Sequence, residues 1–290
     1  MFEAPASPYL VPLNGEFKWT DAPTRPPENE PGKKEMKRQL SKLVSRIDEL
    51  QRIFYAHDRH SLLLVFQGMD AAGKDGTIRA ILNGVNPAGC QVFSFKQPTP
   101  EELDHDFLWR TSRRLPERGR IGIFNRSYYE EVLVVRVHPH YLSSQKLPAD
   151  VDLETVWQDR YASIREHEQH LARNGTVVLK FWLNVSREEQ QQRFLARLED
   201  KDKNWKFSIS DIRERAFWDE YMAAFEAALA ETSRPWAPWY AIPADNKSYM
   251  RLCVADILVS TLESLDLSYP VVDAKKLAEF EDIRQRLLAE

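Results

Sequence analysis

A glycine-rich segment is the part of this sequence whose residue types and spacing point most directly to chemistry. It reads GMDAAGKDG over residues 68–76 and fits the pattern G-x-x-x-x-G-K, in which backbone N–H groups, a helix N-terminus and the lysine bind phosphate. The apolar run 62–66 precedes it and apolar residues at helical spacing follow it, so we predict strand, loop and helix. The predicted phosphate-binding residues are Gly68, Met69, Ala71, Ala72, Gly73, Lys74, Asp75 and Gly76. The simpler alternative is a glycine turn that leaves the lysine in solvent.

Two carboxylates lie in the same segment. Asp70 is inside the loop, and Asp75 takes the position that Ser or Thr occupies in ordinary P-loop ATPases. Carboxylates beside bound phosphates would repel them unless magnesium bridges the two groups. We therefore predict Asp70 as a metal ligand and a catalytic residue, whereas Asp75 could instead cap the following helix.

Length and composition indicate a large globular domain. The chain has 290 residues, 43% hydrophobic and 29% charged, which suits one α/β domain with an inserted subdomain. Its net charge of −4 argues against nonspecific binding to nucleic acid. Two cysteines are too few for a disulfide framework, the N-terminus lacks signal-peptide features, and no apolar run reaches about 20 residues. We expect a soluble, cytoplasmic protein that binds no membrane.

Residues 1–32 differ from the rest of the chain. They contain seven of the seventeen prolines and few paired apolar residues, so we predict an extended arm. This arm could lie over a neighbour through Tyr9, Phe17 and Trp19. From residue 33 to residue 57 apolar residues recur every three or four positions, which predicts one long helix.

Two further apolar runs end in polar or basic residues. The run 91–95 precedes Lys96, and the run 121–124 precedes Asn125 and Arg126. Ligands of open α/β sheets bind at the carboxyl ends of the strands, so these side chains could face the phosphate loop. An arginine there would stabilise charge on a phosphoryl group in transfer, while Lys96 could equally be a surface lysine.

The remaining elements follow the same periodicities. We predict helices at 101–115, 153–173, 210–232 and 249–265, and strands at 176–183 and 239–243. The first of these helices ends in a dense basic cluster that exceeds what solubility requires: Arg110, Arg113, Arg114, Arg118 and Arg120. Without a metal-binding spacing, four histidines are predicted on the surface, namely His138, His140, His167 and His170.

Residues 186–235 predict a mobile helical lid. Arg193 and Arg197 are four residues apart, which places them on one helix face, and Lys206 follows in the next segment. Kinases close such basic helices over phosphates to exclude water, so we predict that these three side chains bind phosphate. The alternative is an exposed helix whose basic residues pair with nearby carboxylates.

Together these elements describe an α/β P-loop kinase with a parallel sheet flanked by helices. Residues 33–290 form the kinase domain, with the lid inserted before the last strand. A hydroxyl acceptor would require a carboxylate base, whereas a phosphate acceptor is already anionic near neutral pH. The many Arg and Lys residues in the predicted site favour an enzyme that brings two polyanions together.

Several separated motifs resemble the polyphosphate kinase family of type 2 over roughly residues 33–268. They are the loop at 68–77, NRSYYE at 125–130, RF at 193–194 with Arg197, and WKFS at 205–208. The resemblance implies a thymidylate-kinase-like fold with a helical lid, a requirement for magnesium or manganese, and reversible phosphoryl transfer from inorganic polyphosphate to AMP or ADP, giving ADP and ATP. It also implies a homo-oligomer, to which the proline-rich arm could contribute.

The resemblance assigns functions to single residues. Asp70 binds the metal and orients phosphate, and the phosphates are gripped by Lys74, Arg126, Arg193 and Arg197. The nucleotide-binding positions are Asn125, Arg126, Tyr129 and Glu130. Many members have Asp where this chain has Asn125, so one expected carboxylate is missing. The version with Asn is similar to the class III branch, which implies that AMP and ADP are both acceptors. In that branch a glutamate of this segment contacts the base; we choose Glu130, with Glu131 as the alternative.

Three other functions fit the same residues. An ATP-dependent nucleoside monophosphate kinase would share the fold and most of the arginines. A plain NTPase would favour Ser or Thr where Asp75 stands. A non-catalytic protein could bind polyphosphate without transferring phosphate. Assays of AMP with ATP or polyphosphate as the only donor separate the two kinases.

Overall fold

The computed structural model describes residues 2–148, 151–152, 154–202, 204 and 208–290. Within these residues the strands are β1 (Ser61–Gln67), β2 (Cys90–Ser94), β3 (Ile121–Asn125), β4 (Thr176–Asn184) and β5 (Trp239–Pro243). They form one parallel sheet in the order β2-β3-β1-β4-β5. The predicted α/β fold with a parallel sheet is therefore confirmed.

Helices cover the sheet, as the fully buried strands β1 and β4 require. Over the described residues the helices are α1 (Lys33–His57), α2 (Lys74–Ile81), α3 (Pro100–Leu103), α4 (Trp109–Ser112), α5 (Val134–Val137), α6 (Val156–Arg173), α7 (Arg187–Glu199), α8 (Ile209–Arg215), α9 (Trp218–Thr232), α10 (Lys247–Glu263) and α11 (Ala274–Ala289). Helix α10 packs against α1 and α2, whereas α6 packs against α9. Among the described residues, no helix has both the length and the apolar character needed to cross a bilayer.

The central strand brings two loops together. β1 pairs with β3 on one side and with β4 on the other, and every one of its residues is buried. The register places Phe66 beside Asn125 and beside Phe181. Because all these strands run in the same direction, the loops after β1 and β3 leave the same edge of the sheet side by side.

Several predicted elements have the predicted bounds, and others do not. α1 and β5 begin and end as predicted. The single helix predicted at 101–115 is wrong, because α3 and α4 are separate turns and the Asp106 side chain accepts a hydrogen bond from Leu108 N at 2.9 Å between them. The helix predicted at 210–232 is likewise two helices, α8 and α9. Leu153, the predicted start of α6, lies outside the described residues, and α11 was not predicted.

The basic cluster near residue 115 packs against aromatic rings. The guanidinium carbons of four arginines lie 4.6–5.2 Å from ring centroids: Arg110 over Phe95, Arg113 over Trp109, Arg114 over Phe93 and Arg120 over Tyr55. Such cation–π contacts stabilise the edge of the sheet around β2. Packing thus accounts for most of the cluster.

The N-terminal arm lies on its own chain. Val11 N donates to Trp239 O at 2.9 Å, so the arm extends the sheet at β5 by an antiparallel bridge. Phe17 packs edge to face on Trp182, with ring centroids 6.1 Å apart. Tyr9 Oη lies 2.7 Å from a tyrosine hydroxyl on α10. The neighbour that the arm covers is therefore the edge of its own sheet.

Candidate active site

The loop between β1 and α2 has a backbone that only its glycines permit. Gly68 and Gly73 have φ of +151° and +112°, which L side chains rarely adopt. A Cβ at Gly68 would lie 2.9 Å from Leu183 O, and one at Gly73 would lie 2.9 Å from Met250 Cε. The loop therefore needs Gly68 to pack against the backbone of β4, whereas Gly73 is required for its positive φ, because the end of the Met250 side chain on α10 can move. Its remaining inward side chains, including Ala72, are buried.

Lys74 is the first residue of α2 and points back into this loop. Its Nζ donates to Gly68 O at 2.6 Å and to Met69 O at 3.2 Å. Burial, and next the nearby charge of Arg126, lower the pKa of Lys74 to about 8. The ammonium group is thus held inside the loop by carbonyl oxygens that a bound anion would have to replace.

Arg126 joins the loop after β3 to the loop after β1. Its Nη2 lies 2.5 Å from Asp70 Oδ1, and its Nη1 lies 3.0 Å from Glu130 Oε2. The charge of Glu130, supported by that of Asp70, raises the pKa of Arg126, so this guanidinium remains charged. Its φ of +63° is in the left-handed region, a strained conformation for a residue other than glycine that costs about 1–3 kcal/mol. Such strain is typical of functional sites.

Asn125 binds a carboxylate of the phosphate loop. Its Nδ2 donates to Asp75 Oδ1 at 2.6 Å, and Asp75 lies in the first turn of α2, whose N-cap residue is Gly73. An aspartate in place of Asn125 would repel Asp75, whereas the amide holds it. Among the described residues, no group of three or more His, Cys, Asp or Glu could hold a metal.

The two neighbouring glutamates after β3 point in different directions. Glu131 is buried, and its carboxylate accepts from Arg160 Nη1 at 2.5 Å and from Gln145 Nε2 at 2.7 Å. Glu130 is 24% exposed and lies against Arg126. Glu130 therefore faces the open side of the site, and Glu131 belongs to the interior.

Tyr129 lies beneath the site and not in it. Its ring is fully buried, and its Oη donates to Glu168 Oε1 at 2.9 Å. Lys180 Nζ donates to this hydroxyl at 2.8 Å and to Glu168 Oε2 at 2.6 Å, and Tyr128 Oη donates to Glu168 Oε1 at 2.8 Å. The prediction that Tyr129 contacts the nucleotide is therefore corrected: its hydroxyl has internal partners only, and it supports the segment that contains Arg126.

Arg193 also differs from its prediction. Its Nη1 donates to the carbonyl oxygens of residues 71 and 72 at 2.9 and 2.8 Å, its Nη2 donates to those of residues 244 and 245, and its Nε donates to Glu189 at 2.7 Å. The side chain is 6% exposed, so all five N–H groups have protein acceptors. In this structure Arg193 ties α7 to the phosphate loop and has no donor left for phosphate.

Arg197 lies one turn further along α7. Its Nη1 is 3.5 Å from Asp211 Oδ2 on α8, and its guanidinium lies over the Phe194 ring at 5.6 Å. Burial, and next the charge of Asp70, raise the pKa of Asp211. The end of α7 and the start of α8 therefore lie within electrostatic reach of the phosphate loop.

Of the other predicted cations, Lys96 is not part of this group. Lys96 is exposed beyond the carboxyl end of β2, at the edge of the sheet two strands away from β1. Lys206 lies outside the described residues. The side chains that the structure brings together are Asp70, Lys74, Arg126 and Glu130, with Asn125 and Asp75 beside them.

Some contacts near the site could hardly be predicted from the sequence. His138 was predicted on the surface, but its side chain is 12% exposed and its Nε2 lies 2.8 Å from Glu214 Oε2 on α8. Tyr221 Oη donates to the same oxygen at 2.6 Å. Gln190 donates to Asp70 O at 2.9 Å, and its position three residues before Arg193 on one helix face could have indicated this contact. Nothing in the spacing of His138 pointed to Glu214.

The parallel sheet, the glycine loop around Lys74 and an arginine from the neighbouring strand define a P-loop kinase. The family model of polyphosphate kinase 2 matches residues 30–269. The chain therefore belongs to the polyphosphate kinase 2 family, and the resemblance found in the sequence is confirmed.

Similar proteins agree with this assignment. An ADP-polyphosphate phosphotransferase of Rhodopseudomonas palustris is 56% identical over 84% of this chain and 85% of its own length. An AMP/ADP-polyphosphate phosphotransferase of Meiothermus ruber is 47% identical over 83% of this chain and 86% of its own. The crystal structure of polyphosphate kinase 2 from Arthrobacter aurescens TC1 matches with a TM-score of 0.88 and 35% identity, covering 98% of this chain and 99% of that one.

Proposed function

We propose that this protein transfers the terminal phosphoryl group of inorganic polyphosphate reversibly to AMP and ADP, giving ADP and ATP. The observation that supports this most directly is the 2.5 Å contact between Asp70 Oδ1 and Arg126 Nη2, because it joins the phosphate loop to a cation from the next strand. The names of the relatives support the same reaction, since one is described as acting on ADP and the other on AMP and ADP.

The transfer is an in-line displacement. A terminal phosphate oxygen of the acceptor nucleotide bonds to the end phosphorus of polyphosphate while the bridging P–O bond breaks, and the shortened polyphosphate keeps the bridging oxygen with its electron pair. The attacking oxygen is already anionic near neutral pH, so no general base is required. Lys74 and the backbone N–H groups of residues 69–74 hold one substrate, and Arg126 stabilises the charge that moves.

Asp70 and Asp75 fit magnesium, or manganese in its place. This ion is usually held by one or two carboxylates together with phosphate oxygens and water, and two carboxylates on one phosphate loop match that requirement. When bound, the ion would neutralise charge between the two phosphate groups. We expect Asp70→Asn to lose most activity and to need more magnesium, while the exposed Asp219→Asn behaves as wild type. Full activity of Asp70→Asn at every magnesium concentration would contradict this assignment.

We propose that the mobile lid is smaller than residues 186–235. Gln190 and Arg193 fix the first turns of α7 to the phosphate loop. The buried residues of α9, including Phe225, belong to the main core. The end of α7 and helix α8 remain as the moving part, which makes Arg197 the lid arginine that closes on phosphate. Lys206 remains a predicted phosphate ligand of the same lid.

The acceptor site is proposed at the segment after β3. Arg126 would bind the acceptor phosphate, and the partly exposed carboxylate of Glu130 would accept a hydrogen bond from an amino group of the base. Asn125 would act there indirectly, by holding Asp75. We also propose a cytoplasmic homo-oligomer. The arm lies on its own chain and does not by itself support the contact between copies.

The test is an incubation of the enzyme with AMP, polyphosphate and magnesium, following ADP and ATP over time. We expect ADP to appear first and ATP to follow. Phosphorylation of AMP with ATP but not with polyphosphate would identify a nucleoside monophosphate kinase instead. Transfer to ADP alone would remove AMP from the acceptors. Tight, salt-sensitive binding of polyphosphate without transfer would indicate a binding protein.

A further inference from the structure

The last helix of the structure has an apolar face without cover. All residues of α11 are described and none is buried. It lies beyond residue 269, where the match to the family model ends. Its large apolar side chains are 48–69% exposed: Leu277, Phe280, Ile283, Leu287 and Leu288.

These side chains form one stripe. Leu277, Phe280, Ile283 and Leu287 recur at spacings of three and four residues and Leu288 follows directly, which places all five on one side of a helix about 24 Å long. A lone helix of 16 residues is marginal in water, and its stability usually comes from packing an apolar face. The stripe is therefore shaped for another helix.

The charges of α11 indicate that the helix packed on its apolar stripe is a second copy of α11. Its acidic residues, Glu279, Glu281 and Asp282, lie between two pairs of basic residues, Lys275 and Lys276 before them and Arg284 and Arg286 after them. An antiparallel copy centred between residues 282 and 283 brings three pairs of opposite charge to the same level and no pair of like charge: Glu279 with Arg286, Glu281 with Arg284, and Lys275 with Glu290. The same register sets Leu277 against Leu288.

Pairs within one helix do not use up these charges. Arg284 lies 3.4 Å from Glu281, and Arg286 lies 2.6 Å from Asp282, but all four side chains are at least 59% exposed. Ion pairs in such exposed positions are weak and can be shared with another helix.

We propose that α11 is an interaction surface for a second copy of this chain, paired antiparallel about a two-fold axis. Each copy places its stripe against that of the other, and the flanking charges fix the orientation. The pairing lies outside the candidate active site, so it does not depend on the proposed reaction.

The test uses charge reversal in the full chain, with mass measured by light scattering and sedimentation over a wide range of concentrations. Glu279→Arg and Arg286→Glu should each weaken the α11-dependent association by about tenfold or more, since each sets like charges together twice across the axis. An equal mixture of the two variants, and the double reversal in one chain, should both restore it. Phe280→Asp should abolish this association.

Ala278→Arg is the matched control, because residue 278 is exposed on the opposite side of α11. It should leave the mass unchanged, and every variant should keep wild-type transferase activity, which shows that the domain is folded. If Phe280→Asp leaves the mass unchanged at all concentrations, α11 does not pair. If the single reversals weaken association but neither the mixture nor the double reversal restores it, the helices are not antiparallel.

Discussion

Two charged regions adjoin each other in this protein and are constructed differently. In the open one, Asp70, Arg126 and Glu130 are 24–35% exposed and form ion pairs of 2.5 and 3.0 Å. In the buried one, Glu168 and Lys180 have no exposed surface and their ion pair is 2.6 Å long. The segment after β3 belongs to both, because Arg126 lies in the first region and Tyr129 in the second.

The two regions differ in whether the hydrogen-bond partners of their cations can be exchanged for a ligand. Lys180 Nζ has three acceptors within 2.8 Å, all from the protein, so the buried network has one arrangement. Arg126 binds carboxylates beside solvent and can exchange them for phosphate oxygens. We infer that the buried network fixes Tyr129 and thereby holds the strained backbone of Arg126 in place for the open one.

The largest expected effect is on the buried network. Lys180→Met would leave Glu168 without its counter-ion, and breaking a buried pair in this way costs about 3–5 kcal/mol of unfolding free energy. Urea denaturation of this variant against wild type measures it. Lys37→Met on the exposed surface of α1 is the control and should change stability by less than about 0.5 kcal/mol. A loss no larger than that of the control would show that the two regions do not differ as described.

A substitution in the open region should lower activity and leave stability almost unchanged. Arg126→Ala should reduce kcat/KM by about 10²–10³, the cost of removing one preorganised donor to the transition state. Its unfolding free energy should hardly change, because the lost ion pairs are partly exposed. Arg52→Ala, an exposed arginine of α1, controls for the loss of charge. If Arg126→Ala instead has a much lower unfolding free energy but a normal kcat/KM, then Arg126 has a structural role.

The same comparison explains what could be predicted from the sequence. The phosphate loop and the strands can be predicted from the sequence, because glycine spacing and apolar runs are local signals. The inward orientation of the Tyr129 side chain could not be predicted, because it depends on Glu168 and Lys180, which lie on α6 and β4. The sequence does not show whether an arginine donates to phosphate or to backbone carbonyls, and for this reason it wrongly predicts that Arg193 binds phosphate.

Substitution of Arg193 tests whether an arginine binds phosphate or holds the backbone. Arg193→Lys keeps the charge but cannot serve all the carbonyl oxygens of residues 71, 72, 244 and 245. Leaving one such group unsatisfied costs about 1–3 kcal/mol, so both the unfolding free energy and kcat should fall. Arg197→Lys in the proposed lid should lower activity without this loss of stability. If Arg193→Lys instead raises only the KM for polyphosphate, then Arg193 binds phosphate after all.

The smallest effect concerns pH. Because burial lowers the pKa of Lys74 to about 8, the free enzyme loses this charge as pH rises through that value. A bound phosphate chain raises the pKa again, so binding above pH 8 takes up a proton and polyphosphate affinity falls by at most about tenfold per pH unit. The unfolded chain, with the ordinary lysine pKa of 10.5, holds more protons than the folded one over the same range, so the free enzyme becomes more stable as its affinity falls.

Opposite slopes for affinity and stability are therefore the signature of Lys74. Calorimetric titration with polyphosphate in two buffers of different ionisation enthalpy measures the proton taken up, and urea denaturation measures the stability. Lys74→Arg remains charged at every pH of the experiment, so it should abolish both slopes even where it binds less tightly. Proton uptake that persists in this variant would assign the titration to another group, and the ammonium in the loop would then be charged throughout.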